Sequence, residues 1–155
     1  MDMSTDGFKP IVNRRATFEY TILETLEAGL VLSGPETKSV RLGHVSLAES
    51  FAVVSQQGHV ELLNAHINPY QYARQEEYEP KRTRKLLLHK REIERLMGKV
   101  RSEGLTLVPL KIYQKHGKFK VQLGLARGKK QYEKREQIKR RDVKREVDRA
   151  IKGYR

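Results

Sequence analysis

The chain has 155 residues, with 32 Lys or Arg against 19 Asp or Glu, a formal charge of +13 and a pI near 10.0. It contains no cysteine, which excludes disulfides, thiolate metal sites and a cysteine nucleophile, and no apolar run approaches the roughly 18 residues of a membrane span. With no signal-peptide pattern at the N-terminus, we expect a cytoplasmic protein, one domain plus an appendage, that binds nucleic acid rather than membrane.

The first 32 residues of the sequence predict a leader followed by β-strand structure. Residues 1–12 contain Gly7 and Pro10 and few apolar side chains, which favours a flexible leader. From Thr17 onward, apolar residues alternate with polar ones as far as Leu32, with one parity throughout. The apolar residues fall into two sets, Phe18 to Ile22 and Leu26 to Leu32, which predict two strand segments that can join as one long bent strand. Gly29 marks a bend or a close backbone approach.

The middle of the chain predicts a short helix, a hairpin and a loop. Residues 33–36 (SGPE) have the proline and the acid of a helix start, and Gly43 ends that helix. Residues 51–55 and 60–67 are predicted strands, joined by a turn at Gln56, Gln57 and Gly58. Residues 71–83 form a polar loop long enough to indicate a functional or mobile segment.

The last part of the body predicts a helix and a second hairpin. Ile93, Leu96, Met97 and Val100 form one apolar stripe at helical spacing, and Gly104 is a natural C-terminal cap. Residues 105–114 and 119–126 are predicted strands on either side of a tight turn. Six strand segments and two helices in about 110 residues predict a mainly β body, a small closed antiparallel barrel over residues 13–127.

The C-terminal residues carry most of the excess charge. Residues 127–155 hold 13 Lys or Arg and 5 Asp or Glu, a net charge of +8. This density is typical of an arm that binds a polyanion, although a helix that only aids solubility is the alternative. Its apolar stripe, Val143, Val147 and Ile151, is too thin to offset the ordering entropy. We therefore expect the basic tail, residues 128–155, to be disordered when free and helical on a surface.

The sequence offers little for catalysis. The five histidines lack metal-ligand spacing, and no phosphate-binding loop, dinucleotide fingerprint or nucleophile motif is present. No clustered carboxylates indicate a magnesium-dependent nuclease. We therefore expect a protein that is not an enzyme and has no metal or cofactor.

RNA-binding signals are clearer. Residues 81–85 (KRTRK) lie just before the long helix and form a candidate anion site, with a solvated loop as the alternative. Tyr113, Lys115, Lys118 and Lys120 place cations along one hairpin that can form a groove wall. Glu27 opposes this trend, because a carboxylate repels phosphate but accepts hydrogen bonds from a guanine edge or orients an arginine; plain exposure on a strand is the alternative.

Several segments together carry a family resemblance. They are, in order, residues 13–16 (NRRA), 27–29 (EAG), 36–41 (ETKSVR), 66–70 (HINPY), 82–90 (RTRKLLLHK), 104–110 (GLTLVPL), 125–130 (LARGKK) and 133–135 (EKR). This series resembles the small protein B (SmpB) family, the tmRNA-binding partners of bacterial trans-translation. The resemblance runs from about residue 13 to the C-terminus.

The resemblance implies a fold and a mechanism. The fold is an oligonucleotide-binding (OB) barrel with flanking helices and a basic tail. The barrel binds the tRNA-like domain of tmRNA, so that protein and RNA together imitate a tRNA. The tail then enters the empty mRNA channel of a stalled ribosome, contacts rRNA near the small-subunit decoding centre and folds there as a helix. Elongation factor Tu takes part indirectly, through alanyl-tmRNA.

The resemblance also implies site residues. The positions expected to contact tmRNA, or to support that surface, are Asn13, Arg14, Glu27, Lys38, Ser39, Arg41, Arg82, Arg84, Lys85, Leu87, His89 and Lys90. The positions expected to contact the ribosome are Gly128, Lys129, Lys130, Tyr132, Glu133, Lys134, Arg135, Lys139, Arg140, Arg141 and Ile151. Tyr132 stands where many members have histidine, which favours stacking on an rRNA base.

Two other classes of function remain open at this point. One is a structural ribosomal protein with a basic tail, which would copurify with ribosomes in equal amounts. The other is an RNA-processing enzyme, which catalysis by the purified protein would reveal.

Overall fold

The computed structural model describes residues 7–74, 77–129 and 131–153. The described strands are β1 (Ile11–Val12), β2 (Tyr20–Leu30), β3 (Val45–Ser46), β4 (Phe51–Val54), β5 (Val60–Leu63), β6 (His66–Ile67), β7 (Arg84–Leu87), β8 (Thr106–Lys115) and β9 (Lys118–Gly128). The described helices are α1 (Arg14–Glu19), α2 (Gly34–Arg41), α3 (Lys90–Glu103) and α4 (Gln131–Gly153).

Six strands close into a ring. The order is β8-β4-β5-β7-β2-β9, and β9 pairs with β8 again; every pairing is antiparallel. The long strands β2 and β9 pair from Tyr20 with Gly128 to Gly29 with Lys120. Closure leaves no open edge between these strands. The prediction of a mainly β fold with about six strands and flanking helices is confirmed.

The hydrophobic core fills this ring. Side chains that alternate along the strands point inward, among them Ala28, Leu62, Leu107 and Val121, each at most 1 % exposed. Leu96, fully buried on α3, joins the same core and carries the apolar stripe predicted for that helix. Each buried leucine or valine side chain of this core contributes about 1.5–3 kcal/mol by leaving water. The body therefore has enough buried surface to hold a rigid outer face.

The first helix was not predicted. The alternation at Phe18, Tyr20 and Ile22 predicted a strand from Thr17, but β2 begins at Tyr20 and the preceding residues form α1. Ala16 of this helix is 2 % exposed and packs against the sheet. Three alternating residues are too few to separate a strand from one turn of helix, so this local pattern was ambiguous.

The predicted leader is also shorter than expected. Ile11 and Val12 form β1, which pairs with β8, and the ring of Phe8 packs edge-on against Phe119 at 5.1 Å. Residues 8–12 therefore belong to the body. Residues 1–6 lie outside the described residues, so their predicted flexibility stays a prediction.

One strand of the ring was predicted as loop and helix start. Residues 84–87 form β7, which pairs with β5 on one side and with β2 on the other. The apolar residues from Tyr20 to Leu30 lie on one strand, β2, in agreement with the predicted long bent strand, with a register shift between Ile22 and Glu24. The predicted number of six strands is right, but β7 replaces one of the expected members.

The predicted helix ends and turns are confirmed. Ser33 and Glu36 form a reciprocal capping box at the start of α2, and Gly104 ends α3 with φ +64°. β9 extends to Gly128, one residue beyond the predicted end of the body. The tail forms α4, and its predicted disorder in the free protein stays a prediction. Among the described helices, none is both long and apolar enough for a membrane span.

Candidate nucleic-acid interface

An exposed leucine stands in the middle of a groove on the outside of the ring. Leu87, at the end of β7, is 53 % exposed and separates two adjoining cavities of about 360 and 300 Å³. Both cavities are also lined by Gly29 and Lys120. We call this surface the Leu87 groove; its remaining lining residues are Glu27, Leu88, His89, Glu92, Leu30, Leu32, Thr37, Gly117, Lys118 and Phe119.

Gly29 sets the position of Leu87. The two residues are paired across β2 and β7, and a Cβ built on Gly29 would lie 3.2 Å from the Leu87 Cβ. Such a contact is too close for the neighbouring side chain to stay in place. The glycine predicted to mark a close backbone approach therefore allows β7 to bring its leucine against β2.

The carboxylate of Glu27 lies at the edge of this groove. The Tyr113 hydroxyl and the Lys115 ammonium both donate to its Oε2, the latter at 3.4 Å. The hydrogen bond from Tyr113 is the main cause that lowers the pKa of Glu27, and the charges of Lys115 and Lys120 add to it. Glu27 is therefore an ionised acceptor held in place by the β8–β9 hairpin, as an orienting carboxylate requires.

Cations surround the same groove. Lys118 and Lys120 of β9 line it, as predicted for that hairpin. Lys85, within β7, and Lys90, the first residue of α3, are exposed within three residues of Leu87 in the chain. The N-cap residue of α3 is His89, whose side chain is exposed. The groove thus combines an apolar side chain, an acceptor and several cations, which suits an RNA base with its phosphates.

Two of the predicted contact residues serve a buried ion-pair network instead. Arg84 is 0 % exposed, and its three guanidinium nitrogens donate to Glu36 Oε2 at 2.8 Å, to the carbonyls of Ala65, Arg82 and Pro80, and to the Tyr78 hydroxyl. Arg82 pairs with the same Glu36 through two nitrogens while its side chain stays 37 % exposed. Direct contact of Arg84 with RNA does not fit its burial.

The network holds Glu36 in its charged form. Burial acts to raise the pKa of Glu36, but hydrogen bonds from Arg82, from the Ser33 N–H and from Arg84 outweigh it and lower the pKa to about 2. The Tyr78 hydroxyl has two acceptors within reach of its single proton, Glu36 Oε2 at 3.1 Å and the Ile67 carbonyl at 3.0 Å. Burial together with the Glu36 charge raises the pKa of Tyr78. One carboxylate therefore joins α2, the end of β6 and the start of β7.

Sequence reasoning missed the role of Glu36. It identified Glu36 only as an acid at a helix start, and it interpreted residues 81–85 as one candidate anion site, with a solvated loop as the alternative. The available signal was the alternation of β7, in which Arg84 and Leu86 share one parity and Lys85 and Leu87 the other. That alternation places Arg84 on the inner side with Leu86.

The other residues predicted to contact tmRNA include both buried and exposed side chains. Asn13 and Ser39 are buried, at 6 % and 0 % exposed. The Asn13 amide donates to the Pro109 carbonyl at 2.9 Å, so its role is to fasten β1 and α1 to β8. Arg14, Lys38 and Arg41 are exposed. These three cations are available to an RNA, whereas the two buried residues support the surface from behind.

The tail residues also differ in their surroundings. Lys129 is tied to α1, since its N–H donates to the Glu19 carbonyl and its ammonium to the Thr17 carbonyl at 2.7 Å. On α4, Lys134 is half-buried, and the remaining described cations of the predicted set are exposed, namely Arg135, Lys139, Arg140 and Arg141. Arg141 lies over the Phe18 ring at 5.4 Å. Lys130 and the side chains of Tyr132, Glu133 and Ile151 lie outside the described residues.

Among the described residues, no group of three or more His, Cys, Asp or Glu side chains could hold a metal ion. The two carboxylates that line the groove have other partners: Glu27 accepts from Tyr113 and Lys115, and Glu92 accepts from the His89 N–H. Glu24 pairs with Arg95 and with Lys99, the latter at 3.2 Å, and these hydrogen bonds lower its pKa to about 2. These contacts fasten α3 beside the groove.

Comparison with known proteins shows the family of this chain. The family model described as "SmpB protein" matches residues 10–153. An SsrA-binding protein of Pelotomaculum thermopropionicum is 59 % identical over 90 % of this chain and 91 % of the relative, and one of Trichormus variabilis is 49 % identical over 99 % and 100 %. A chain in a solved structure described as "tmRNA-SmpB: a journey to the center of the bacterial ribosome" is 53 % identical, with a TM-score of 0.65 over 79 % of this chain and 85 % of that chain. The chain belongs to the SmpB family.

Proposed function

We propose that this protein binds the tRNA-like domain of tmRNA through the Leu87 groove and delivers alanyl-tmRNA to stalled ribosomes for trans-translation. The observation that carries the proposal is an exposed leucine fixed between a charged acceptor and several lysines. The base of a nucleotide can pack on Leu87 while the polar edge of that base meets Glu27 and the phosphates of the nucleotide meet the lysines. The names of the similar proteins support the identity of the RNA.

The tail acts separately in this proposal. Its exposed cations on α4 bind rRNA along the vacated mRNA channel, close to the decoding centre, once tmRNA is on the groove. Elongation factor Tu enters only through its own contact with alanyl-tmRNA. The action takes place in the cytoplasm, and the protein contributes binding and positioning rather than catalysis.

Salt dependence of tmRNA binding tests the assignment of the groove. If six to eight phosphates are neutralised, the logarithm of the binding constant falls with the logarithm of salt concentration at a slope of about −4 to −7. Leu87→Ala should weaken binding and leave that slope unchanged, because the leucine contacts no phosphate. Lys85→Ala or Lys118→Ala should each reduce the slope by about 1.

A matched control is available on β2. Leu23 is 51 % exposed and does not line the groove, so Leu23→Ala should bind tmRNA like the unmodified chain. Equal effects of Leu23→Ala and Leu87→Ala would reject the groove as the RNA site. A slope near zero for the unmodified protein would reject the electrostatic account of binding.

A further inference from the structure

A second aromatic and cationic surface adjoins α2, the helix that also contributes Thr37 to the Leu87 groove. It consists of Lys38, Tyr70, Tyr72 and Arg74, and we call it the Tyr72 patch. Tyr72 is 78 % exposed, the highest value among the exposed large hydrophobic side chains of the described residues. Its ring meets the Tyr70 ring edge-on, with centroids 5.4 Å apart at 68°.

The patch is fixed rather than loosely attached. The Lys38 ammonium lies over the Tyr70 ring at 5.3 Å from its centroid. The Ala73 N–H donates to the Tyr70 carbonyl at 3.0 Å, which closes the turn that carries Tyr72. The other side of Tyr70 lines a small cavity of about 50 Å³ together with Glu36 and Tyr78. Tyr70 therefore spaces Tyr72 from the buried ion-pair network.

Both ends of the surrounding loop are anchored to the body. The Asn68 N–H donates to the His44 carbonyl and the Ile67 N–H to the Pro80 carbonyl, both at 3.0 Å. Tyr78 donates to the Ile67 carbonyl at 3.0 Å. An exposed aromatic ring on an anchored turn loses little conformational freedom on binding, so more of its stacking energy appears as affinity.

The patch contributes two exposed cations to the binding of a polyanion. Lys38 and Arg74 are both exposed beside the two rings. The nearest described acids along the chain are Glu77 and Glu79, and Glu79 accepts a hydrogen bond from the Lys81 N–H. Aromatic rings flanked by cations bind unpaired nucleotides, because each base stacks on a ring while its phosphate meets a cation.

The patch is continuous with the Leu87 groove. Thr37 lines the groove, and the next residue, Lys38, lies over Tyr70. Consecutive Cα atoms are about 3.8 Å apart, so α2 forms a wall common to both surfaces. A single RNA bound in the groove can therefore reach the patch with a neighbouring unpaired nucleotide.

We infer that the Tyr72 patch is a second contact for the RNA that occupies the Leu87 groove, in which an unpaired nucleotide stacks on Tyr72 and its phosphates meet Lys38 and Arg74. This inference rests on the proposed function, because it takes tmRNA as that RNA. It extends the proposal from one groove to two surfaces that share α2.

Tyrosine substitutions test the inference by tmRNA binding. Tyr72→Ala should weaken binding of transcribed tmRNA at least about five-fold, since one stacked base contributes about 1–3 kcal/mol. Tyr72→Phe should bind like the unmodified chain because it keeps the ring. The Tyr72→Ala variant should keep the salt slope, whereas Lys38→Ala and Arg74→Ala should each reduce it by about 1. Because Tyr72 is highly exposed, Tyr72→Ala should fold like the unmodified chain. An unchanged thermal midpoint of unfolding verifies this.

A fluorescence experiment reports the contact directly. The chain has no tryptophan, so Tyr72→Trp introduces a single reporter, whose emission should change when tmRNA is added. The matched reporter Leu23→Trp, on β2 outside the groove, should not respond.

Three results would overturn the inference. Equal affinity of Tyr72→Ala and the unmodified chain would remove Tyr72 from the contact. A response of the Tyr72→Trp reporter only when ribosomes are added would assign the patch to rRNA. Failure of the unmodified chain to bind tmRNA would reject the proposed function itself, and it is seen before any variant is compared.

Discussion

The body and the tail of this protein are both rich in cations, but they use them differently. In the body, carboxylates position the arginines and lysines: Glu36 pairs with Arg82 and Arg84, and Glu24 pairs with Arg95. On α4, the described cations from Arg135 onward lie exposed along the helix. The same residue types therefore build a rigid surface in one region and form a freely exposed charged rod in the other.

Arg84 and Arg140 show the contrast most directly. Each lies in a dense basic run of the sequence, yet Arg84 is completely buried with five hydrogen bonds and Arg140 is exposed. A buried guanidinium needs a paired carboxylate and carbonyl acceptors, and removing its partner leaves an uncompensated charge. A cluster of cations in the sequence therefore does not show which of its members are exposed to bind RNA, because a buried carboxylate can hold one of them in the interior.

The largest expected effect comes from separating the two regions. Truncation after Lys129 should abolish peptide tagging on stalled ribosomes in a reconstituted trans-translation assay. It should change the tmRNA dissociation constant less than about ten-fold at physiological salt, because the groove and its cations remain. The described contact of Arg141 with Phe18 contributes about 0.5–1 kcal/mol at most, so the thermal midpoint of the body should barely move. Equal loss of tmRNA binding and tagging would show that α4 is part of the RNA surface.

The next effect concerns the buried network. Glu36→Ala should destabilise the body by about 3–5 kcal/mol at pH 7, because Arg84 keeps its buried charge without a partner. Urea unfolding followed by circular dichroism measures the change. Lys85→Ala, one position along β7 but exposed, is the matched control and should lie within about 0.5 kcal/mol of the unmodified chain. Similar losses for both variants would contradict the division between buried and exposed cations.

The smallest effect is the dependence of stability on pH. The pKa values of Glu24 and Glu36 are lowered from 4.5 to about 2 by their cationic partners. A lowered folded-state pKa contributes stability above the unfolded value, and that contribution is lost as pH falls from about 4.5 to about 2. The urea midpoint should therefore stay nearly level from pH 7 to 5 and fall below pH 4.5.

A variant sharpens this measurement. Glu36→Gln should be less stable at pH 7 and should lose less stability on acidification, because one of the carboxyl groups whose pKa is lowered by folding is gone. If the urea midpoint of Glu36→Gln fell as steeply below pH 4.5 as that of the unmodified chain, Glu36 would not be a cause of the pH dependence.

The sequence predicted much of the fold because its strong local signals agree with the tertiary structure. The capping residues of α2, the apolar stripe of α3 and the turn at His116 and Gly117 all lie where the patterns placed them. The prediction failed at α1 and β7, where four to six residues carry too little periodicity to decide between helix, strand and loop. It also failed to foresee the pairing of β1 with β8, since that contact joins residues about 100 positions apart.

The residues of the candidate site were also predictable only in part. The resemblance and the charge pattern identified Glu27, Leu87 and the lysines of the β8–β9 hairpin, and the structure brings them to one groove. The sequence alone could not separate Arg84 from Lys85, nor show that Tyr72 stands exposed beside Lys38 and Tyr70.

Composition, charge distribution and periodicity by themselves determined that this chain has a β-rich body, a strongly cationic tail and an affinity for a polyanion, because these properties follow from residue types and short-range spacing. Only the tertiary structure decided which cations face solvent. Whether a cation is exposed depends on which of the two alternating faces of a strand packs against the core. It also depends on whether a carboxylate that is distant in the sequence, such as Glu36, packs beside that cation.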